Sequence, residues 1–155
     1  MKRRTLLKGT LALGALGMAF SAGLLTPRAA LAAWPKDAFD AKTVDDALKS
    51  LFGSTQLEGS DKIVFKQLPE IAENGAVVPV SVEVAMDGVE SISILAEKNA
   101  TPLTSSYTLG AATEPFVATR IKLGKTTSVI AVVKAGGKLY SAGKEVKVTI
   151  GGCGG

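Results

Sequence analysis

Histidine is absent from the 155-residue sequence, and cysteine occurs once, at Cys153. The first absence removes the usual general base at neutral pH, the Ser-His and Cys-His nucleophile pairs, and the commonest metal ligand. With a single thiol beside it, no zinc or copper site of ordinary type can be assembled, and no disulfide can close within the chain. Glycine is plentiful, at 17 residues, yet neither GxGxxG nor GxxxxGK followed by Ser or Thr stands between a strand pattern and a helix pattern, so a phosphate-cradling loop is unsupported. Asp45-Asp46 and scattered glutamates remain as acids, but their setting is that of a solvated helix face. The body of the chain carries no residues for an obvious reaction, and it reads as a non-enzyme without metal or cofactor.

What is present begins with MKRRTLLKGTLALGALGMAFSAGLLTPRAALA. A basic start, an apolar stretch from Leu11 to Leu25 and the small-residue site Ala30-Leu31-Ala32 follow one another in the order of an export signal. The apolar stretch falls short of the roughly 18 residues of a spanning helix, which favours cleavage before Ala33 over stable membrane insertion. Arg3-Arg4 followed by Leu6, Leu7 and Lys8 resembles a twin-arginine signal, which carries an already folded protein out of the cytoplasm; the plainer reading is an ordinary secretory leader. Residues 1–32 therefore read as a leader, and the mature chain as one that works outside the cytoplasm. Removing them takes away Lys2, Arg3, Arg4, Lys8 and Arg28, five of 18 basic residues, and none of the 14 acidic ones. The mature net charge is thus about −1, and the basic balance of the full sequence belongs to the leader, which excludes nucleic acid or an anionic membrane surface as a partner on charge grounds. What remains is enough chain for one domain, spanning 33–150.

After Trp34-Pro35, the segment DAFDAKTVDDALKSLFG places Ala47, Leu48, Leu51 and Phe52 at helical spacing, with Thr43 as N-cap and Gly53 as stop. One short helix is expected there. From Lys62 the period changes: Val78, Val80, Val82, Val84 and Met86 alternate with Pro79, Ser81, Glu83 and Ala85, as in a half-buried strand. The same period returns in Val117, Ile121 and Leu123, and in Val146, Val148 and Ile150. Turn signals at Asn74-Gly75, Asp87-Gly88, Asn99 to Pro102, Gly124 and Gly136-Gly137 separate about seven short strands. The pattern predicts an all-β fold, an antiparallel sandwich, with Gly136-Gly137 as a tight hairpin. VIAVV, Val129 to Val133, is apolar on both faces, as expected of a central strand covered on both sides or of one buried against another subunit.

The chain ends in IGGCGG. With Ile150 as the last periodic residue, the sheet is expected to end there and residues 151–155 to project as a flexible arm. Glycine has no side chain to pack and loses the most entropy on being fixed, so Gly151, Gly152, Gly154 and Gly155 suit a thin, mobile tether for Cys153. At about 3.3 Å per residue the five residues reach roughly 15 Å, enough to enter a deep cleft on another protein. A cysteine with an unperturbed pKa of about 8.5 is only slightly ionised at neutral pH. Lys144 and Lys147 precede it on the strand, but the terminal carboxylate opposes them. Activation is therefore expected to come from whatever enzyme receives the arm, and Cys153 reads as a covalent attachment point that other proteins load and unload. The competing reading is a structural or adaptor protein whose cysteine only joins two chains by a disulfide, although glycines that raise the entropy of the tail gain such a bridge little. A ubiquitin-like Gly-Gly carrier would need cytoplasmic ATP chemistry, which the leader opposes, and an autonomous sulfurtransferase lacks its histidine.

VKVTIGGCGG at the end, AENGAVVPVSV at Ala72 to Val82 and TRIKLGKTTSVIAVVKAGGKLYSAGKEV at Thr119 to Val146, together with the twin-arginine leader, resemble the SoxY family, the sulfur-carrying subunits of periplasmic SoxYZ complexes of thiosulfate oxidation. The resemblance implies an immunoglobulin-like sandwich with Cys153 as the point of covalent substrate attachment. It implies a SoxZ-like subunit as heterodimer partner, which a covered VIAVV strand would suit. Transient partners would be a SoxAX-like c-type cytochrome that joins thiosulfate to the thiol oxidatively, a SoxB-like hydrolase that releases sulfate and, in some organisms, a sulfane dehydrogenase.

Overall fold

The computed structural model describes residues 34–151; the leader, and with it the twin-arginine motif and the cleavage site, lies outside the described residues, as do Gly152, Cys153, Gly154 and Gly155. Two helices open the described chain, α1 (Lys36–Asp40) and α2 (Val44–Phe52). The longer one is the helix expected from the sequence, and its ends are set as its residues dictate. Thr43, with extended backbone (φ −127°, ψ 156°), accepts from the Asp46 N–H at 3.1 Å, and Gly53 adopts φ 71° while its N–H donates to Lys49 O at 2.9 Å. Asp45 and Asp46 sit exposed in the first turn, where the helix dipole favours them; a solvated helix face is indeed their role. The second helix, α1, was not legible as such. It is one turn long, begins after Pro35, whose carbonyl accepts from Ala38 and Phe39, and is braced by the Lys36–Asp40 ion pair one turn apart.

Nine strands follow: β1 (Glu58–Gly59), β2 (Ile63–Gln67), β3 (Ile71–Ala72), β4 (Val78–Val84), β5 (Val89–Ala96), β6 (Leu103–Thr108), β7 (Phe116–Ile121), β8 (Thr127–Ala135) and β9 (Lys138–Val148). They form the expected all-β, immunoglobulin-like sandwich. One sheet runs β1-β9-β8-β5-β6, with β3 added alongside β9; the other runs β2-β4-β7. All the longer strands pair antiparallel, whereas the two-residue β1 and β3 pair in parallel with opposite ends of β9. Gly136 (φ 56°) and Gly137 (φ 76°) connect β8 to β9 across the Ala135–Lys138 pair, the two positive φ angles that a tight hairpin turn needs.

Alternation decides what fills the space between the sheets. Val78, Val80, Val82 and Val84 from β4 meet Ile92 and Ile94 from β5 and Val129, Ala131 and Val133 from β8 in one continuous core, all buried. The opposite face of β8 answers the question raised by VIAVV. Val132, fully buried, packs with Leu95 and Leu103 beneath Ala38, Ala47 and Leu48 of the two helices, with Phe39, Leu51, Phe52 and Ile130 closing the rim. The strand lies between β9 and β5 and is covered on one face by the second sheet and on the other by this chain's own helices. The alternative, burial against another subunit, does not apply to it.

Candidate functional site

The strand that leads to the cysteine is β9, 11 residues long and bonded along its length to β8. Its pairing with β8 ends at Val146 opposite Thr127, and the chain beyond is taken over by a different set of partners. Lys147 N–H donates to Glu70 O at 2.9 Å and Thr149 N–H to Ala72 O at 3.1 Å, the parallel contact with β3. The Val148 N–H donates to Thr126 Oγ1 at 3.0 Å, and Thr149 Oγ1 donates to Glu73 O at 3.1 Å. The strand therefore stops at Val148, two residues before Ile150, the end expected from the apolar period. Ile150 is 68% exposed, so its side chain belongs to no core, and its carbonyl accepts from Gly75 N–H at 2.8 Å instead of from a strand.

Gly75 ties the base of the tail to the rest of the domain. The Asn74-Gly75 turn is shaped by the Ala76 N–H donating to Asn74 Oδ1 at 2.8 Å. Gly75 is buried, donates to Ile150 and accepts from Leu123 N–H at 2.7 Å. The adjoining Gly124 N–H donates to Asn99 Oδ1 at 3.0 Å, and Asn99 Nδ2 donates to Lys122 O at 2.7 Å. Three segments far apart in sequence thus meet where residue 151 leaves the sheet. Asn74-Gly75, Asn99 and Gly124 were all legible as turn residues; that they converge on the tail depends on tertiary packing and has no local signal.

The charged groups of this corner are engaged with one another among the described residues. Lys144, a candidate from the sequence, lies 3.6 Å from Glu70 Oε1 and donates to Leu68 O at 3.5 Å, so its ammonium is turned to the segment that leads into β3. Among the described residues no cluster of His, Cys, Asp or Glu could hold a metal ion, and no helix is long and apolar enough to cross a membrane. The shifted ionisations belong to exposed ion pairs elsewhere: the Lys134 ammonium bonded to Glu90 lowers that carboxyl, and Asp40 is lowered by Lys36. A cleft of about 470 Å³ lined by Ser60, Lys62, Asp87, Lys138 and Tyr140 lies at the β8–β9 hairpin, at the other end of β9 from the tail, a separation of about 30 Å at about 3.3 Å per residue. The described domain thus provides a rooted exit for the tail and no catalytic constellation around it.

A family model described as "Sulfur oxidation protein SoxY" matches residues 48–153, from the middle of α2 through the cysteine. Among solved structures the chain is similar to the sulfur carrier protein SoxY from Chlorobium limicola f thiosulfatophilum, at 44% identity over 70% of this chain and 97% of that one, with a TM-score of 0.63. It is also similar to a superoxide reductase (neelaredoxin) from Ignicoccus hospitalis, at 18% identity over 59% of this chain and 94% of that one, with a TM-score of 0.52; that likeness is one of fold. No curated protein matches the chain. Since the family match covers most of the sandwich and reaches the lone thiol, the chain belongs to the SoxY family of sulfur oxidation proteins.

Proposed function

We propose that this protein is a non-enzymatic carrier that holds thiosulfate-derived sulfur covalently on Cys153 while partner enzymes act on it. The observation that carries the reading is the lone cysteine three residues beyond Ile150, the last residue of a backbone root that the domain holds by hydrogen bonds on several sides, within the stretch matched by the family. In the first step the thiol and thiosulfate lose a proton and two electrons to form Cys153–S–S–SO₃⁻, the electrons passing to a c-type cytochrome of the SoxAX kind. In the second, a SoxB-like hydrolase adds water across the sulfur–sulfonate bond, releasing sulfate and a proton and leaving a persulfide on Cys153. A sulfane dehydrogenase, where one exists, would oxidise that remaining sulfur. This chain's contribution is the nucleophile, and with no histidine in the sequence the base that activates it comes from a partner.

The reading includes export by the twin-arginine leader of residues 1–32, work in the periplasm, and a stable SoxZ-like partner. Because the helices cover the outer face of β8, that partner would dock elsewhere on the domain. Intact mass spectrometry of the exported protein, purified without reductant from cells given thiosulfate, tests the proposal. Thiosulfonate or persulfide masses that map to the tail, vanish with reductant and are absent from Cys153→Ser are expected. A bare thiol in every preparation, or only an interchain disulfide, would overturn it.

A further inference from the structure

Gly151, the first glycine of the tail, sits differently from a tether residue. A Cβ built on it would overlap the carbonyl oxygen of Gly124 and lie 3.4 Å from that carbonyl carbon. Its φ is not in the left-handed region, so the position requires glycine for lack of room and not for an unusual backbone conformation. Gly124 has little freedom to retreat, because Asn99 holds it from one side, accepting its N–H at 3.0 Å while bonding Lys122 O at 2.7 Å. Nor can Ile150 drift away on the other side. Its carbonyl is the acceptor for the N–H of Gly75, a buried residue whose own carbonyl already holds Leu123, and releasing Ile150 would leave a buried amide unpaired.

We propose that Gly151 is a packed anchor, held by Gly75, Gly124 and Asn99, which carries the fixed backbone one residue beyond Ile150. The inference rests on the carrier reading for its purpose. Counted from the anchor, the backbone reach to Cys153 is at most about 7 Å at about 3.3 Å per residue, against about 10 Å counted from Ile150. On the carrier reading, a root fixed within two residues of Cys153 raises the effective concentration of the thiol at a docked cleft. Asn99, Gly75 and Gly124 are then positioning residues for the thiol, acting through Gly151.

The test uses the full mature chain, with amide hydrogen exchange at Gly75 and Leu123 and, separately, a nitroxide spin label on Cys153. Gly151→Ala is expected to speed exchange at Gly75 at least about tenfold, as for a local opening, and to sharpen the nitroxide spectrum, with a modest fall in melting temperature from the lost Gly75–Ile150 hydrogen bond. Gly152→Ala leaves Gly75 exchange at the wild-type rate. Asn99→Ala, which does not alter the tail, shifts both readouts in the same direction as Gly151→Ala, and Asn99→Asp, which keeps an acceptor for the Gly124 N–H, restores part of the protection. Wild-type Gly75 exchange and an unaltered nitroxide spectrum in Gly151→Ala, or equal effects from Gly152→Ala, would overturn the anchor. Both readouts are made without sulfur loading, so the anchor can fail while the mass experiment upholds the carrier, and the reverse.

Discussion

Truncating Leu48 to alanine asks whether this chain covers its own central strand. Leu48 is 1% exposed and packs against Leu95, Leu103 and Val132, themselves buried. The substitution removes three carbons, worth about 2.4 kcal/mol at about 0.8 kcal/mol each. It also leaves a cavity that α2 closes only by moving toward the sheet, and Ala38 and Ala47, already fully buried beside it, leave little slack. The expected loss is therefore about 3 kcal/mol, within the roughly 2–5 kcal/mol range of buried leucine truncations. For a domain of this size that corresponds to a fall in melting temperature of about 10 °C, read by circular dichroism on the purified chain without any partner and checked by urea titration. Lys49→Ala, exposed on the same helix, serves as control and is expected to change stability by less than about 0.5 kcal/mol. A loss below about 1 kcal/mol in the isolated chain, growing only when a second subunit is added, would refute the reasoning, because the outer face of β8 would then be covered by another chain.

Two further expectations follow from the backbone and from the charges. Gly137→Ala, at φ 76° with open space around the missing Cβ, meets no clash but forces a side chain into the left-handed region; a loss of about 1–2 kcal/mol is expected as a lower urea midpoint with unchanged slope, and a wild-type midpoint would contradict the assigned turn. The melting temperature is expected to be flat between about pH 5.5 and 8, since the sequence has no histidine to titrate there. It should then fall in acid. Glu90 and Asp40 have lowered folded-state pKa values, so their stabilisation is present above the ordinary carboxyl values and disappears as pH drops through the lowered ones. In a melting series from pH 2.5 to 8, the difference between wild type and Glu90→Gln should vanish at the acid end; a difference that grows there would reverse the sign of the argument.

The comparison of strand pattern with structure is instructive at both ends of β9. At the hairpin end, consecutive glycines specify the turn locally, because few other residues tolerate two successive positive φ angles. At the tail end, the apolar period runs through Ile150, but a strand ends where its hydrogen-bond partners end, and the partners of Val148 to Ile150 come from Thr126 and from residues 72–75. Helix α1 leaves no such local signal: a single turn contributes too few periodic positions to stand out, and its apolar residues matter only once Val132 and Leu103 lie beneath them.

By itself the sequence determined the alternating strands, the capped helix and the hairpin, all of which rest on residue chemistry within a few positions of the chain. It also singled out Cys153, since a lone thiol among glycines is conspicuous without any fold. Tertiary structure alone decided which surface covers VIAVV, where β9 stops and why Gly151 has no room for a side chain. Each of these depends on segments tens of residues apart being brought together, as Gly75, Asn99 and Gly124 are at the root of the tail, and no local period or propensity records such a meeting.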